Sequence, residues 1–425
     1  MRAFRRICTV LTCTASCLLF AGCSHRVQQD PIPTSGTVSL ELTPNTTTPT
    51  DTDTDSQTLQ NAPRRVSFAA VGDNVIHPGI YIDAAERAAA AGQGREYDFR
   101  PMYENIRAQI SQADLAFINQ ETLMAGASFG YSGYPTFNSP QQLGYDLCEI
   151  GFDVVSIANN HMADKGAAGL EATITFWKSL SEQITMIGGY MNQADYDTPR
   201  VIEKNGIKIA FLAYTYGSNG LSIYNTQAIL PYLSEETVRR QVTTAKEVAD
   251  VVIVSAHWGD DNGQPINEKQ RSFSQLFADL GVDVILGHHP HLIQPIAWLN
   301  GSDGHRTLCF YSLGNLLSEM DAAKNMVGGI ASFDIVLQGQ HVQIENVLFT
   351  PTVFFFNARD RDTQLYYMED CTETLLQKHW CAVSAKGRFT PYGSFTEPVT
   401  LAKLTDYTKQ IIPAAFLPQS LQQAS

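Results

Sequence analysis

The feature that most constrains this chain is a regular alternation, from Arg65 onward, of short apolar runs with helical stretches. Val66 to Val71, Leu115 to Ile118, Val154 to Ala158, Ile207 to Tyr214, Val251 to Ser255, Val282 to Leu286, Leu308 to Ser312 and Ile330 to Leu337 are the apolar runs. Their shortness suits strands, and their near-continuous hydrophobicity suits strands buried on both faces. Tyr103 to Ala113, Leu143 to Ile150, Glu171 to Leu180, Glu235 to Val248 and Lys269 to Leu280 carry helical spacing between them. The pattern predicts βαβ units and an α/β fold without internal repeats.

The residues that follow the strands predict where chemistry sits. Asp73, Glu121, Asn160-His161, His257 and His289/His291 each come just after a strand. Right-handed crossovers bring such strand ends to one edge of a sheet, where sites assemble. Five of the ten histidines (His161, His257, His288, His289 and His291) lie in three of these segments. Carboxylate, amide and imidazole together suit a divalent transition metal or zinc. Singly, each has a plainer role: Asp73 as a cap, Asn159-Asn160 as a turn, His161 as a core histidine, His257 packed beside Trp258. The run Gly287-His288-His289-Pro290-His291 is harder to explain away, with three imidazoles in four residues and a proline that stops a helix. Asp260 and Asp261, just beyond His257, are placed to orient ligands from behind.

The N-terminus points to export. Arg2, Arg5 and Arg6 precede an apolar run, Ile7 to Phe20, which is too short for a spanning helix. The ending Phe20-Ala21-Gly22-Cys23 resembles a lipobox, which predicts a signal peptide over 1–22 and a lipid on Cys23. Residues 23–64 form the expected tether, with Gln28 to Asn61 rich in Thr, Pro, Ser and Asp and poor in aromatics. Asp51, Asp53 and Asp55 mimic a calcium loop but lack its glycine and its closing glutamate, Ala62 standing in the last place. The folded part is expected over 65–349, with a C-terminal extension of weaker pattern over 350–425. No later stretch is long and apolar enough to span a membrane, so everything beyond the anchor is expected to be soluble.

Charge narrows the partners. The chain carries −14, and the leader holds three arginines and no acid, which leaves −17 from Cys23 on. That balance argues against nucleic acid as a partner, while an anionic substrate stays compatible because bound metal reverses the local field. Cys148, Cys309, Cys371 and Cys381 show no zinc-ribbon spacing; Cys371 and Cys381 are within reach of pairing, and Cys148 and Cys309 read as core residues.

Six motifs in order carry a resemblance: Gly72-Asp73, Asn119-Gln120-Glu121, Asn160-His161 with Asp164, Gly166 and Gly169, His257-Trp258-Gly259, Gly287 to His291, and Ser312-Leu313-Gly314-Asn315. Together they resemble the CapA-type poly-γ-glutamate capsule-synthesis proteins, a family similar to the calcineurin-like metallophosphoesterases. The resemblance implies a calcineurin-like α/β sandwich of two central sheets flanked by helices. It implies metal ligation by Asp73, Glu121, Asn160, His257, His289 and His291, and general-acid work by His161. Asp164, Asp261, His288 and Asn315 would support that shell. One or two divalent ions (Mn, Fe or Zn) are implied. Val75 stands where the metallophosphoesterase pattern has a histidine, the Asn119-Gln120-Glu121 tripeptide where it has an aspartate, and Leu316 where the family often has an aromatic.

The resulting expectation is an exported, membrane-anchored protein linked to poly-γ-glutamate capsule biosynthesis. It would act as a metal-dependent hydrolase on an anionic envelope polymer or a phosphoester. The alternative is a non-catalytic anchored subunit of a polymer synthesis and export assembly.

Overall fold

The computed structural model describes residues 62–357, 359–384 and 399–422. The leader, Cys23 and most of the tether lie outside the described residues.

Two sheets form. In the first, β1 (Arg64–Asn74) pairs in parallel with β2 (Leu115–Gln120), followed by β3 (Val154–Ser156) and β4 (Thr185–Ile187). The second holds β5 (Arg200–Lys204), β6 (Ile207–Thr215), β7 (Val251–His257), β8 (Val284–His288), β10 (Arg306–Phe310) and β9 (Ile296–Asn300), in that spatial order. The short β11 (Asn315–Leu317) joins the end of β1 in parallel. On the other flank of β1 the first sheet continues antiparallel through β12 (Val327–Gln338), β13 (His341–Asn357) and β14 (Asp362–Tyr367). The longer helices are α1 (Pro78–Ala91), α2 (Arg100–Gln112), α3 (Gln142–Ile150), α4 (Gly166–Ser179), α5 (Glu235–Val248), α6 (Glu268–Asp279) and α7 (Leu401–Ile411).

Alternation within the apolar runs builds the layers. Phe68 and Ala70 of β1 enter a core shared with Phe211, Ile253 and Phe310 of the second sheet. Their neighbours Ala69 and Val71 join Ile80, Ile106, Leu147 and Ile174 from α1 to α4 on the outer face. In β7, Ile253 faces inward, while Val252 and Val254 meet Val242 of α5 and Phe277 of α6. Both faces of central strands such as β1 and β7 are therefore covered, which is why their runs lack a polar period. The result is the expected sandwich, two sheets flanked by helices. Local signals set the helix starts: Ser234 caps α5, and Asn267 with Gln270 forms a capping box on α6.

Strand β13 passes through position 349 without a break, so the 350–425 stretch begins inside the first sheet. Further along, Met368, Leu376, Leu404, Tyr407 and Leu417 pack into the same core as Phe68. Cys371 and Cys381 are buried there and are not bridged to each other, while Cys309 packs among the residues under α5 and α6. Among the described residues no helix is long and apolar enough to cross a membrane.

Candidate metal centre

The parallel strands deliver their C-terminal residues to one edge. Asp73 is the last but one residue of β1, Glu121 follows β2, Asn160 and His161 lie beyond β3, His257 ends β7, His288 ends β8, and His289 and His291 lie just beyond it. Two glycines allow this convergence. A Cβ on Gly72, just before Asp73, would lie 1.9 Å from the carbonyl oxygen of Gly314. One on Gly287, just before His288, would lie 2.0 Å from that of Tyr311. Both positions admit another backbone where any side chain would collide.

Two groups of side chains face one another. Asp73, Glu121 and His291 form one, and Glu121, His257 and His289 the other, with the ligand atoms of each group within 4.8 Å of one another. Glu121 belongs to both. All five residues are buried. His291 Nε2 lies 3.4 Å and His257 Nε2 lies 3.6 Å from Glu121 Oε1. Among the described residues, neither Glu121 oxygen has a hydrogen-bond partner, nor do Nδ1 of His257 and Nδ1 of His289. Buried polar atoms left unpaired are costly and rare. A carboxylate facing imidazoles from two sides is the donor set that divalent transition metals take, so the residues present fit the implied ions.

Surrounding amides fix the ligands. Asn119 Nδ2 donates to Asp73 Oδ1 at 2.9 Å, and the His289 N–H donates to Asp73 Oδ2 at 3.1 Å. Asn315 Oδ1 is 3.0 Å from His291 Nδ1, which turns Nε2 of that ring toward Glu121. Asn160 Oδ1 sits 2.8 Å from His257 Nε2, and its Nδ2 donates to Asn219 Oδ1 at 3.1 Å. His289 and His291 hold positive φ values, 95° and 56°, unusual for residues with a side chain and found where a site over-determines the backbone.

Charge within the cluster is shared unevenly. Burial pushes the Glu121 carboxyl well above its usual range, opposed by His291. Burial would also raise Asp73, but His288 and His291 outweigh it and hold that carboxyl well below. Burial lowers His257 well below its usual range and His289 to about 3, so both rings are neutral. In His291 burial is overcome by Glu121 and Asp73, which push the ring up to about 10. The His291 ring thus faces both acids, its Nε2 3.4 Å from Glu121 Oε1 and its Nδ1 3.3 Å from Asp73 Oδ2.

His161 stands outside both groups. Its Nδ1 is 2.8 Å from Asp164 Oδ2, which also accepts the Phe137 N–H at 2.6 Å, and its ring meets Phe137 edge-on at 4.7 Å. It is near enough to His289 to lower that ring's basicity. His288 is buried behind Asp73 with its ring over Phe117, 5.6 Å between centroids. Asp261 is exposed, its Oδ1 accepts from Asn262 Nδ2 at 2.8 Å, and it is near enough to Glu121 and His291 for its charge to raise both. Val75 is buried and supplies no donor; His77, two residues on, turns Nδ1 to the Val75 carbonyl at 3.0 Å.

Some contributors were not singled out from sequence. Asn119 was noted in its motif but not as the residue that holds Asp73. Tyr216 and Asn219, on the segment after β6, were missed. The Tyr216 ring packs on His289 at 4.5 Å and lies parallel to His257 at 6.4 Å. The rule that found the other ligands, polar residues just past a strand, applies equally to β6.

Comparison with known proteins agrees with the motifs. The chain is 30% identical over 196 residues to a PGA biosynthesis protein CapA of Bacillus subtilis, covering 45% of this chain and 50% of that one. It is 30% identical over 176 residues to a capsule biosynthesis protein CapA of Bacillus anthracis, covering 40% of this chain and 41% of that one. The matches thus span about half or less of those relatives. Among solved structures, a calcineurin-like phosphoesterase, YfkN, of Bacillus subtilis is similar at 13% identity and TM-score 0.39, over 68% of this chain and 90% of that one. A phosphatase of Mycoplasma pneumoniae is similar at 13% identity and TM-score 0.40, over 68% and 94%. The model of the bacterial capsule synthesis protein family PGA_cap matches residues 67–320, more than half of the chain and all of the ligand-bearing segments. This protein belongs to that family.

Proposed function

We propose that this protein is a metal-dependent hydrolase serving capsule or envelope-polymer synthesis, and that it holds two divalent ions side by side. The observation that carries this is Glu121, shared by two buried ligand groups with both its oxygens unpartnered. Asp73, Glu121 and His291 would hold one ion, and Glu121, His257 and His289 the other, with manganese, iron or zinc suited to that donor set. When bound, such ions supply Lewis-acid polarisation and charge stabilisation at a phosphoryl or acyl centre. The chain's own residues do the rest. Asn119 and Asn315 fix the orientation of Asp73 and His291. Asp164 holds the Nδ1 side of His161, which leaves Nε2 to hand a proton to a departing oxygen. Asn160 keeps the neighbouring His257 ring in place.

The substrate class is an envelope phosphoester or an anionic polymer such as poly-γ-glutamate. The enzyme works outside the cytoplasm, tied to the cell membrane through lipid on Cys23, and is a candidate member of a synthesis or export assembly. Cys23→Ser should release the protein from membranes, and a wild-type chain that is freely soluble and carries no lipid would contradict the anchor.

A non-catalytic anchored subunit is the rival reading, and the buried His161–Asp164 pair beside the ligand groups has no part in it. The test is turnover by the metal-loaded full-length protein on an aryl phosphoester and on poly-γ-glutamate. His161→Asn should keep metal content and lower the rate by roughly 10²–10⁴-fold. A metal-saturated wild type with no turnover on either substrate would overturn the hydrolase reading.

A further inference from the structure

Among the described residues, the segments that carry or touch the site are nearly free of fixed positive charge. Residues 73–79, 119–142, 214–233, 256–267 and 287–295 contain no lysine or arginine. Across 157–166 and 311–328 there is one each, Lys165 and Lys324. Lys324 is already engaged, its ammonium 5.5 Å from the centre of the Tyr407 ring. Against them the same segments carry Asp73, Glu121, Asp164, Asp260, Asp261, Glu319 and Asp321. Asp260 and Asp261 are exposed on the rim.

Such a face can attract one anionic group to its ions, but it cannot run a polyanion across its surface. A chain bearing a carboxylate on every unit would need a track of Lys or Arg beyond the first contact, and instead meets like charge. What the rim does offer is uncharged. Tyr216 is 40% exposed while its ring packs on His289 and His257, and its hydroxyl donates to Asn219 Oδ1 at 3.4 Å. Asn219 in turn is bonded to Asn160, so this contact is fastened to the site. An aromatic ring with a polar tip, half in and half out of the protein, suits the body of a ligand that has both an apolar face and hydrogen-bonding groups.

We infer that this site takes a ligand with a single anionic head, a phosphoester, attached to an uncharged ring that rests on Tyr216 and Asn219, and that an extended polyanion is not its ligand. The inference rests on the reading of the cluster as an anion-binding metal centre. It narrows the substrate to the head-and-ring class, whether the ring is a sugar or an aromatic.

Binding to the full-length, manganese-loaded protein tests it without requiring turnover. The probes are inorganic phosphate, phenyl phosphate, glucose 1-phosphate, and short and long poly-γ-glutamate, each at low and high salt. At least one ring-bearing phosphate should bind tighter than inorganic phosphate, and which of the two does so tells aromatic from sugar. Compared at equal manganese content, Tyr216→Ala should weaken that ligand about three- to tenfold more than it weakens inorganic phosphate. Tyr216→Phe, which retains the ring over His289, should keep most of the preference. Poly-γ-glutamate affinity per residue should not rise with length. An affinity that climbs with polymer length and collapses with salt, or ring phosphates that bind no tighter than phosphate, would overturn the inference. If inorganic phosphate itself fails to bind, the metal-centre reading beneath it falls, and this inference with it.

Discussion

Glu121→Gln is the substitution that separates the two ligand groups from ordinary core packing. Glu121 contributes to both groups, so one change removes an anionic ligand from each. Loss of an outer partner alone commonly costs 10–100-fold in metal affinity, so loss of the shared ligand should cost about 100-fold or more. Wild-type protein with free metal at about one hundred times Kd gains ~2.7 kcal/mol of folding stability per ion, ~5.5 kcal/mol for two. In a domain this large that is a rise in Tm of roughly 10 °C. If both Kd values rise about 100-fold, the same metal concentration gives only ~0.8 kcal/mol in all, a shift of under about 2 °C. The metal-free melts set the baseline for each protein, because the substitution also removes the Glu121 charge from beside His291. Thermal melts with and without manganese, on both proteins, give all four values. A variant that keeps the full metal-induced shift would refute the assignment of Glu121 as the shared ligand.

Asn160→Ala removes the acceptor beside His257 Nε2 and the tie to Asn219, and should weaken metal binding about 10–100-fold by equilibrium dialysis. Metal affinity should rise with pH, because His291 is pushed up to about 10 and must give up its proton to bind. The gain should be at least about tenfold per pH unit below that value, and calorimetry in buffers of different ionisation enthalpy should count at least one proton released. In the metal-free protein the same raised ring stabilises the fold fully below about pH 6.5, and the contribution is lost as pH rises through about 10. Gly287→Ala should destabilise by at least ~3 kcal/mol in chemical denaturation, since its Cβ would meet Tyr311 backbone that has no room to move.

Most of the sandwich was legible because its strands are covered on both sides. Continuous apolar runs such as Val251 to Val254 could only be central, and their ends brought Asp73, Glu121, His257 and His289 together. Features that depend on one-sided burial were not read. Strand β13 begins with alternating exposed and half-buried residues at His341 and turns wholly buried from Pro351, so neither half shows a clean period across the expected boundary at 349. Helix α1 buries only Ile80, Asp83, Ala84 and Ala88, too narrow a stripe to stand out in an alanine-rich stretch. Glu121 was found because an acid after a buried strand is conspicuous. Tyr216 was not, because an aromatic in that place resembles core until its contact with His289 is seen.

The central claim is a two-ion centre bridged by Glu121, and metal stoichiometry with spin coupling tests it most directly. Full-length protein reconstituted with manganese should bind two ions per chain, and its electron paramagnetic resonance spectrum should show a coupled pair. The coupling should vanish in Glu121→Gln. Two uncoupled ions, a single ion, or no bound manganese, iron or zinc after reconstitution would contradict the account.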